Sequence, residues 1–392
     1  MHTMHFITRL IVGGAQENTV SNVEDQVQLF GDEVTLVTGP GLGPEGSLEE
    51  RAAKSGARLI VMPELHRAIR PWQDWRAYQE LRRLIRTLKP DVIHTHASKA
   101  GIIGRQAGFV EGVPVVHTIH GASFHYGQSA PAYRLYRFLE QRAGRQTAHF
   151  ISVSDAMTEQ YVAARVAPRE KFTTIRSGFD VQPYLSPVKS RAEIRAQLGL
   201  SESDLVVGKI ARLFHLKGHQ YLIAAAPEIV RQQPQVKFLL VGDGILREQY
   251  QAEIARLGLT DHFVFTGLVP PSQIPELIHA MDVVVHCSEW EGLARVLPQG
   301  LLAGKPVISY DIDGASEIVR PGETGYLLPR GDVPGLAKAT IELLANPLLR
   351  QQYGQRGREL FQDVFRHEYM TQKIREIYAT VAHPAKAIQA LQ

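Results

Sequence analysis

The chain of 392 residues is long enough for two domains, and its 44 % hydrophobic and 21 % charged content is that of an ordinary globular protein. A net charge of +3 is too small to imply nucleic acid, and the single cysteine, Cys287, excludes an internal disulfide and fits a reducing compartment. No apolar run reaches the roughly eighteen residues of a membrane span, and the N-terminus lacks the basic flank and small-residue cleavage site of a signal peptide, so the expectation is a cytoplasmic protein.

Short apolar runs alternate with helix-period segments along the whole chain. The strands expected first are 4–8, 34–38, 58–62, 91–96, 114–119 and 149–154. A second series follows at 206–211, 236–242, 263–267, 283–287 and 306–310, with helices between, such as 218–232 and 245–257. Continuous apolar strands joined by helices predict an α/β fold with parallel sheets buried on both faces. The series appears twice, and DVQPYLSPVKS (180–190), with Pro183 and Pro187, reads as the boundary. The expected organisation is a Rossmann-like domain over 1–185, a second Rossmann-like domain over 186–365, and a C-terminal helix and tail over 366–392 that crosses back onto the first. The tail is helical from about 333, with 354–381 at helical spacing and 382–392 expected to fray. Two such domains form a central cleft at the carboxyl ends of their strands.

Charge is unevenly placed. Residues 1–50 carry one Arg against eight acids, whereas 51–146 carry sixteen Lys/Arg against six acids. Two stretches concentrate the positive charge, 68–89 with Trp72, Trp75 and Tyr78, and 133–145 with Tyr133, Tyr136 and Phe138. Basic helices with interleaved aromatics suit an anionic membrane surface, but a solvated face over a packed stripe is the favoured reading.

Several residues that follow strands could do chemistry. In KIARLFHLKGHQYL, Arg212 and Lys217 lie in a loop ahead of Gly218 and a helix, where a diphosphate would meet a guanidinium fork and an ammonium. Gly13 and Gly14 follow the first strand, and Gly242 stands in VGDGILRE after another; both sites lack a full GxGxxG. In VVHTIHGASFHYG, His120 stands at a strand mouth beside Gly121, where an imidazole can bond a sugar hydroxyl or a phosphate. His117 reads as structural. His94 and His96 in VIHTHASKAG are expected to face opposite sides of their strand, which makes them poor partners in a metal site. There is no HExxH and no clustered cysteine, DID (311–313) reads as a turn, and no nucleophile elbow stands out.

The stretch HCSEWEGLARVLPQG (286–300) presents an acid, Glu291, at a turn and an amide, Gln299, eight residues later. With IARLFHLKGHQYLI, FLLVGDGILREQY, KPVISYDIDGASEIV and GETGYLLP, it resembles the second domain of the GT-B retaining glycosyltransferases of family four. GGAQE, DVIHTHASKAGIIGRQA, VHTIHG and RSGFD resemble the first domain. The resemblance covers nearly the whole chain, and the ordered set is far more specific than any piece.

The resemblance implies that Glu291 hydrogen-bonds hydroxyls of a donor sugar and that backbone N–H groups of Gly292, Leu293 and Ala294 approach its sugar and phosphate. Gln299 stands where the family carries a second Glu that grips the ribose, and Leu293 and Ala294 replace Phe-Gly. An amide keeps an acceptor oxygen, so a weakened ribose contact survives. Pro298 must kink the following helix or stand at its start. The donor implied is a nucleotide diphosphate sugar, a UDP-sugar in preference to a GDP-sugar. Its departing diphosphate would be stabilised by Arg212, Lys217 and the helix start near 292–294, without a metal or other cofactor. The acceptor hydroxyl would attack from the leaving-group side, with retention of configuration. His120 and Gly14 would position sugar and phosphate, Glu317 in GASEIV would approach the nucleotide or cap its helix, and Lys99 would face the acceptor. The expected function is transfer to a lipid-linked or other saccharide acceptor in polysaccharide, lipopolysaccharide or glycolipid synthesis, with peripheral contact at the inner membrane face. A GT-B sugar-nucleotide epimerase and a non-catalytic nucleotide-sugar-binding subunit are the alternatives.

Overall fold

Apolar runs that carry no polar alternation can be satisfied only inside a sheet covered on both faces, and the computed structural model places them so. It describes residues 1–382 apart from 42, 44, 45 and 126; the expected fraying therefore lies almost wholly outside the described residues. The chain forms two compact units, Met1–Phe179 together with the segment from Arg366, and Asp180–Phe365.

The first unit holds seven parallel strands: β1 (His2–Ile7), β2 (Glu33–Thr38), β3 (Arg58–Val61), β4 (Val92–His96), β5 (Val115–Ile119), β6 (His149–Ser152) and β7 (Phe172–Thr174), in the order β3-β2-β1-β4-β5-β6-β7. The second holds six: β8 (Leu205–Ile210), β9 (Val236–Val241), β10 (Phe263–Gly267), β11 (Val283–His286), β12 (Val307–Tyr310) and β13 (Gly325–Leu328), in the order β10-β9-β8-β11-β12-β13. Both are doubly wound, and in each the order reverses beside the first strand, where the following loops splay apart and leave room for a ligand. The edge strands β7 and β13 are absent from the sequence expectation, because three or four residues are too few to show a period.

The tail is three helices, not one long run. Val333–Ala345 and Pro347–Phe361 are separated by Asn346, whose side chain caps Leu349 N at 3.0 Å. The third, His367–Ala382, begins where the chain returns to the first unit. It buries Met370, Ile374 and Tyr378 against Val92, Val116 and Ile151. Its polar face grips the helix Gly14–Gln28 and the turn after it: His367 and Thr371 reach Asp25 at 2.8 Å, and Arg375 reaches Asp32 at 2.6 Å. Gly178 allows the crossing, since a Cβ there would lie 2.5 Å from His367 Cα.

Residues 180–190, expected to be a linker, belong to the second unit. They include the helix Gln182–Leu185 and lead to Arg191–Gln197, which opens on a capping box of Ser190 and Glu193. Arg191 and the wholly buried Arg195 both hold Asp282, at 2.6 and 2.8 Å. Proline spacing suggested a boundary over 180–190; the units divide at its first residue, and Lys189 ties its end to Glu276 at 2.9 Å.

Candidate functional site

In the second unit the loop between β8 and the helix His219–Gln232 meets the loop after β11. Gly218 makes the approach possible. Its φ of +71° is left-handed, and a Cβ there would sit 1.7 Å from the carbonyl oxygen of Cys287. Glu289 N bonds Leu216 O at 2.8 Å, and Cys287 is buried with its thiol donating to Gly218 O at 2.9 Å. Cys287 is therefore part of the packing.

Glu291 stands at the centre of this junction. Lys217 Nζ lies 2.5 Å from Glu291 Oε1, and His286 Nε2 lies 3.9 Å from the same oxygen. Burial, the largest influence, would raise the Glu291 pKa; the Lys217 ammonium together with hydrogen bonds from Lys217 and Ser288 offsets it, and the carboxyl lies below its ordinary value. Burial drives His286 down to about 3, so its ring is neutral. Glu291 N donates to Asp313 Oδ2 at 2.7 Å, and Gly314 N reaches Gly292 O at 3.4 Å. Asp313 is thus a member of the cluster that the reading of DID as a plain turn missed. It occupies a left-handed conformation at φ 45°, which no local sequence signal announces. Its pKa is raised, chiefly by burial and then by the Glu291 charge against the bond from Glu291 N. Glu289 was missed as well; it takes Tyr221 OH at 2.9 Å and braces the loop.

Arg212 is exposed in the same loop as Lys217, with its guanidinium over the Phe214 ring at 5.0 Å. Gly242 follows β9 and bridges to Gly267, and a Cβ there would come within 2.3 Å of Ala211 O, one residue from Arg212. Asp243 caps the same turn, accepting from Gly244 N and pairing with Arg247 at 2.8 Å. Pro298 resolves the question it raised: the helix is Val296–Leu302, and Pro298 lies in its first turn, where the missing N–H costs little. Every residue of that helix is buried, Gln299 included. Leu293 and Ala294 precede it, and Leu297 N bonds Ala294 O at 3.1 Å. Glu317 closes the short helix Asp313–Glu317, so it cannot cap that helix at its start.

The first unit carries the remaining candidates. Gly13 and Gly14 lead from β1 into the helix Gly14–Gln28, as expected. Lys99 is fully engaged: its ammonium contacts Asp74 and donates to His66 O at 2.7 Å and Ala68 O at 2.5 Å. These contacts make it a brace for the loop before the helix Pro71–Leu88. His117 is buried and bonds Thr95 Oγ1 at 2.8 Å, a structural histidine. His120 follows β5 and bonds His96 Nδ1 through its Nε2 at 3.1 Å.

His94 and His96 require a correction. Residues two apart on a strand share a face, and their ring centroids lie 4.1 Å apart. With His5 of β1 they form a buried group whose ligand atoms lie within 4.8 Å of one another, spacing that would admit a metal ion.

The helices Pro71–Leu88 and Ala130–Gly144 carry the two basic stretches. Ala77, Leu81 and Ile85 form the packed stripe, whereas Ile69, Trp72, Trp75, Leu135 and Phe138 are exposed. The two indoles stack at 5.1 Å.

Comparison with known proteins gives two family models in succession. Residues 13–178 match a glycosyl transferase 4-like domain, and 190–360 match glycosyl transferases group 1. EpsD of Bacillus subtilis (strain 168), whose name places it with the glycosyltransferases, is 30 % identical over 297 residues, covering 73 % of this chain and 76 % of EpsD. The Escherichia coli UDP-Gal:alpha-D-GlcNAc-diphosphoundecaprenol alpha-1,3-galactosyltransferase is 28 % identical over 300 residues, 74 % of this chain and 76 % of the enzyme. Among solved structures, HepE of Anabaena in complex with UDP and glucose aligns with a TM-score of 0.81 at 24 % identity, over 97 % of this chain and all of HepE. Sucrose-phosphate synthase from Thermosynechococcus elongatus aligns with a TM-score of 0.81 at 23 % identity, over 98 % and 99 % of the two chains. These likenesses identify the fold as GT-B.

Proposed function

The chain belongs to the group 1 glycosyl transferases and uses a nucleotide-sugar donor, and from that premise we propose that it is a retaining enzyme acting on a lipid-linked saccharide acceptor. The observation that carries the reading is the Lys217–Glu291 contact at 2.5 Å. It puts a cation for a leaving diphosphate beside an ionised carboxylate for sugar hydroxyls. Arg212 and Lys217 would neutralise the departing diphosphate, and backbone N–H groups of 292–294 would add dipoles to the same end. Glu291 would accept from the sugar hydroxyls, Gln299 would touch the ribose, and Gly242 and Glu317 would face the nucleotide. In the first unit the proposed substrate contacts are Gly13, Gly14 and His120. The acceptor oxygen forms its bond to the anomeric carbon on the face the diphosphate leaves, and the proton passes to the departing phosphate. Two cations and a set of N–H groups can carry this charge without a metal.

The donor preferred is a UDP-sugar. The named donor of the Escherichia coli relative supports it, and the diphosphoundecaprenol acceptor of that enzyme supports a lipid-linked acceptor here. Relatives that transfer sugars disfavour the epimerase and the binding-subunit readings. The test is nucleotide release from a panel of UDP-, GDP- and ADP-sugars with EDTA present, with and without bacterial lipid extract. Release from one UDP-sugar that rises with lipid is expected; release abolished by EDTA would refute the metal-free route, and release indifferent to lipid would refute the lipid-linked acceptor.

Exposed, stacked Trp72 and Trp75 on a basic helix support peripheral attachment to an anionic membrane. The protein is expected to float with vesicles of anionic phospholipid at low salt and to lose most of that binding when both tryptophans are replaced by serine. Failure to float at low salt would dismiss the attachment.

A further inference from the structure

The interior of the first unit contains a file of imidazoles of which the transfer chemistry above uses only the last, His120. Gln26 Nε2 lies 2.8 Å from His5 Nε2, His5 Nδ1 lies 3.1 Å from His96 Nε2, and His96 Nδ1 lies 3.1 Å from His120 Nε2. Three elements contribute, the helix Gly14–Gln28, β1 and β4, and the file emerges at His120 after β5. His5 and His96 are wholly buried and stack with centroids 5.3 Å apart and planes within 9°. His94 packs against both. Tyr378 OH holds its Nδ1, and Thr118 Oγ1 lies 2.6 Å from its Nε2.

Burial lowers His5 to about 4 and takes His94 and His96 well below their ordinary value, so these rings are neutral at physiological pH. A neutral imidazole has one N–H and one lone pair. His5 and His96 each use both nitrogens, so every bond in the file must run in the same direction. The direction is set at the inner end. Gln26 Nε2 is a donor only, and it also donates to Asn22 Oδ1 at 3.1 Å. His5 Nε2 therefore accepts, His5 Nδ1–H donates to His96, and His96 Nδ1–H donates to His120 Nε2. His120, when neutral, is left with its hydrogen on Nδ1.

We propose that Gln26, His5 and His96 form a buried hydrogen-bond relay that fixes the ring tautomer of His120, and that all three are positioning residues for the substrate contact His120 makes. The second half rests on the reading of His120 given above; the first does not. A divalent ion among His5, His94 and His96 would compete with the relay, because it would take the lone pair that the His5–His96 bond needs. That group contains no carboxylate to offset two positive charges in a fully buried place, which favours the relay.

The relay is read directly from [15N]histidine-labelled full-length protein by long-range 1H–15N correlation, with signals assigned by single substitutions. Neutral rings with the hydrogen on Nδ1 are expected at His5, His96 and His120. Gln26→Met removes the donor at similar length, and His96→Phe severs the file while filling its space. In both, His120 is expected to become a mixture of the two tautomers. Transfer kcat should fall about ten- to a hundredfold with little change in donor KM, the range seen when a partner that orients a functional ligand is removed. Neither change should add to the loss already present in His120→Ala. An unaltered His120 tautomer in both folded variants, or a stoichiometric metal in the purified protein, would overturn the relay. If the tautomer responds while His120→Ala leaves transfer intact, the relay stands and the substrate-contact reading of His120 fails.

Discussion

Replacing Lys217 by alanine is expected to lower kcat for sugar transfer by roughly 10²–10³, the loss typical of removing one preorganised group that stabilises charge in a transition state. The side chain has two duties. It faces the position proposed for the leaving diphosphate, and at 2.5 Å it keeps Glu291 ionised against burial that would otherwise raise its pKa. The variant should therefore also change its pH dependence. Glu291 titrates below its ordinary value in the folded protein, so its pairing stabilises the fold at neutral pH and is lost as pH falls through that lowered value. Without Lys217 the carboxyl takes up its proton at a higher pH, and the acid limb of the rate profile should move upward. Lys217→Arg retains the charge and should keep the limb close to its original place while still losing rate, because a guanidinium cannot occupy the space of an ammonium. Rates and pH profiles of the purified variants check this. A Lys217→Ala enzyme within a few-fold of the parent, or with an unmoved acid limb, would remove Lys217 from the chemistry.

The second large effect concerns stability and lies away from that site. Arg105, on the helix Ser98–Glu111, is wholly buried and pairs at 2.8 Å with Glu140 on the helix Ala130–Gly144, itself only 1 % exposed. Ser123 Oγ donates to the other Glu140 oxygen at 3.0 Å, and Arg105 Nε donates to Gly101 O at 2.8 Å. Glu140→Leu would leave a guanidinium in the core without its counter-charge, and the first unit is expected to lose about 3–5 kcal/mol. Arg105→Met together with Glu140→Leu should recover most of the loss, because neither charge is then buried alone. Amide exchange in these two helices under native conditions reads the local stability without requiring the chain to unfold in one step. A single variant as stable as the parent, or a double variant as unstable as the single, would contradict the account.

Both effects depend on pairs distant in sequence, and that distance marks what could be read early. Lys217 and Glu291 could each be named from their motifs, but the 2.5 Å contact across 74 positions could not. Asp313 looked like a turn residue, and only its left-handed backbone brings its carboxylate to Glu291 N. Lys99 looked available for an acceptor, and three partners outside its own helix occupy it. The error over His94 and His96 was of another kind. The period of a strand was enough to put them on one face, and no tertiary information was needed.

Determined by the sequence alone were the parallel α/β class, the doubling of the strand series, the family, and the residue types at the mouths of β1, β5, β8, β9 and β11. Continuous apolar strands and the glycines that let backbone turn sharply are local properties, and periodicity reports them directly. The return of the chain at 366 was also expected from the sequence; tertiary structure alone decided the inclusion of 180–190 in the second unit, the bracing of Lys99, the pairing of Lys217 with Glu291, and the imidazole file from Gln26 to His120. Each of these depends on which strands and helices become neighbours. That is settled by burying two sheets at once, and nothing in the spacing of residues along one strand records what the next strand will bring beside it.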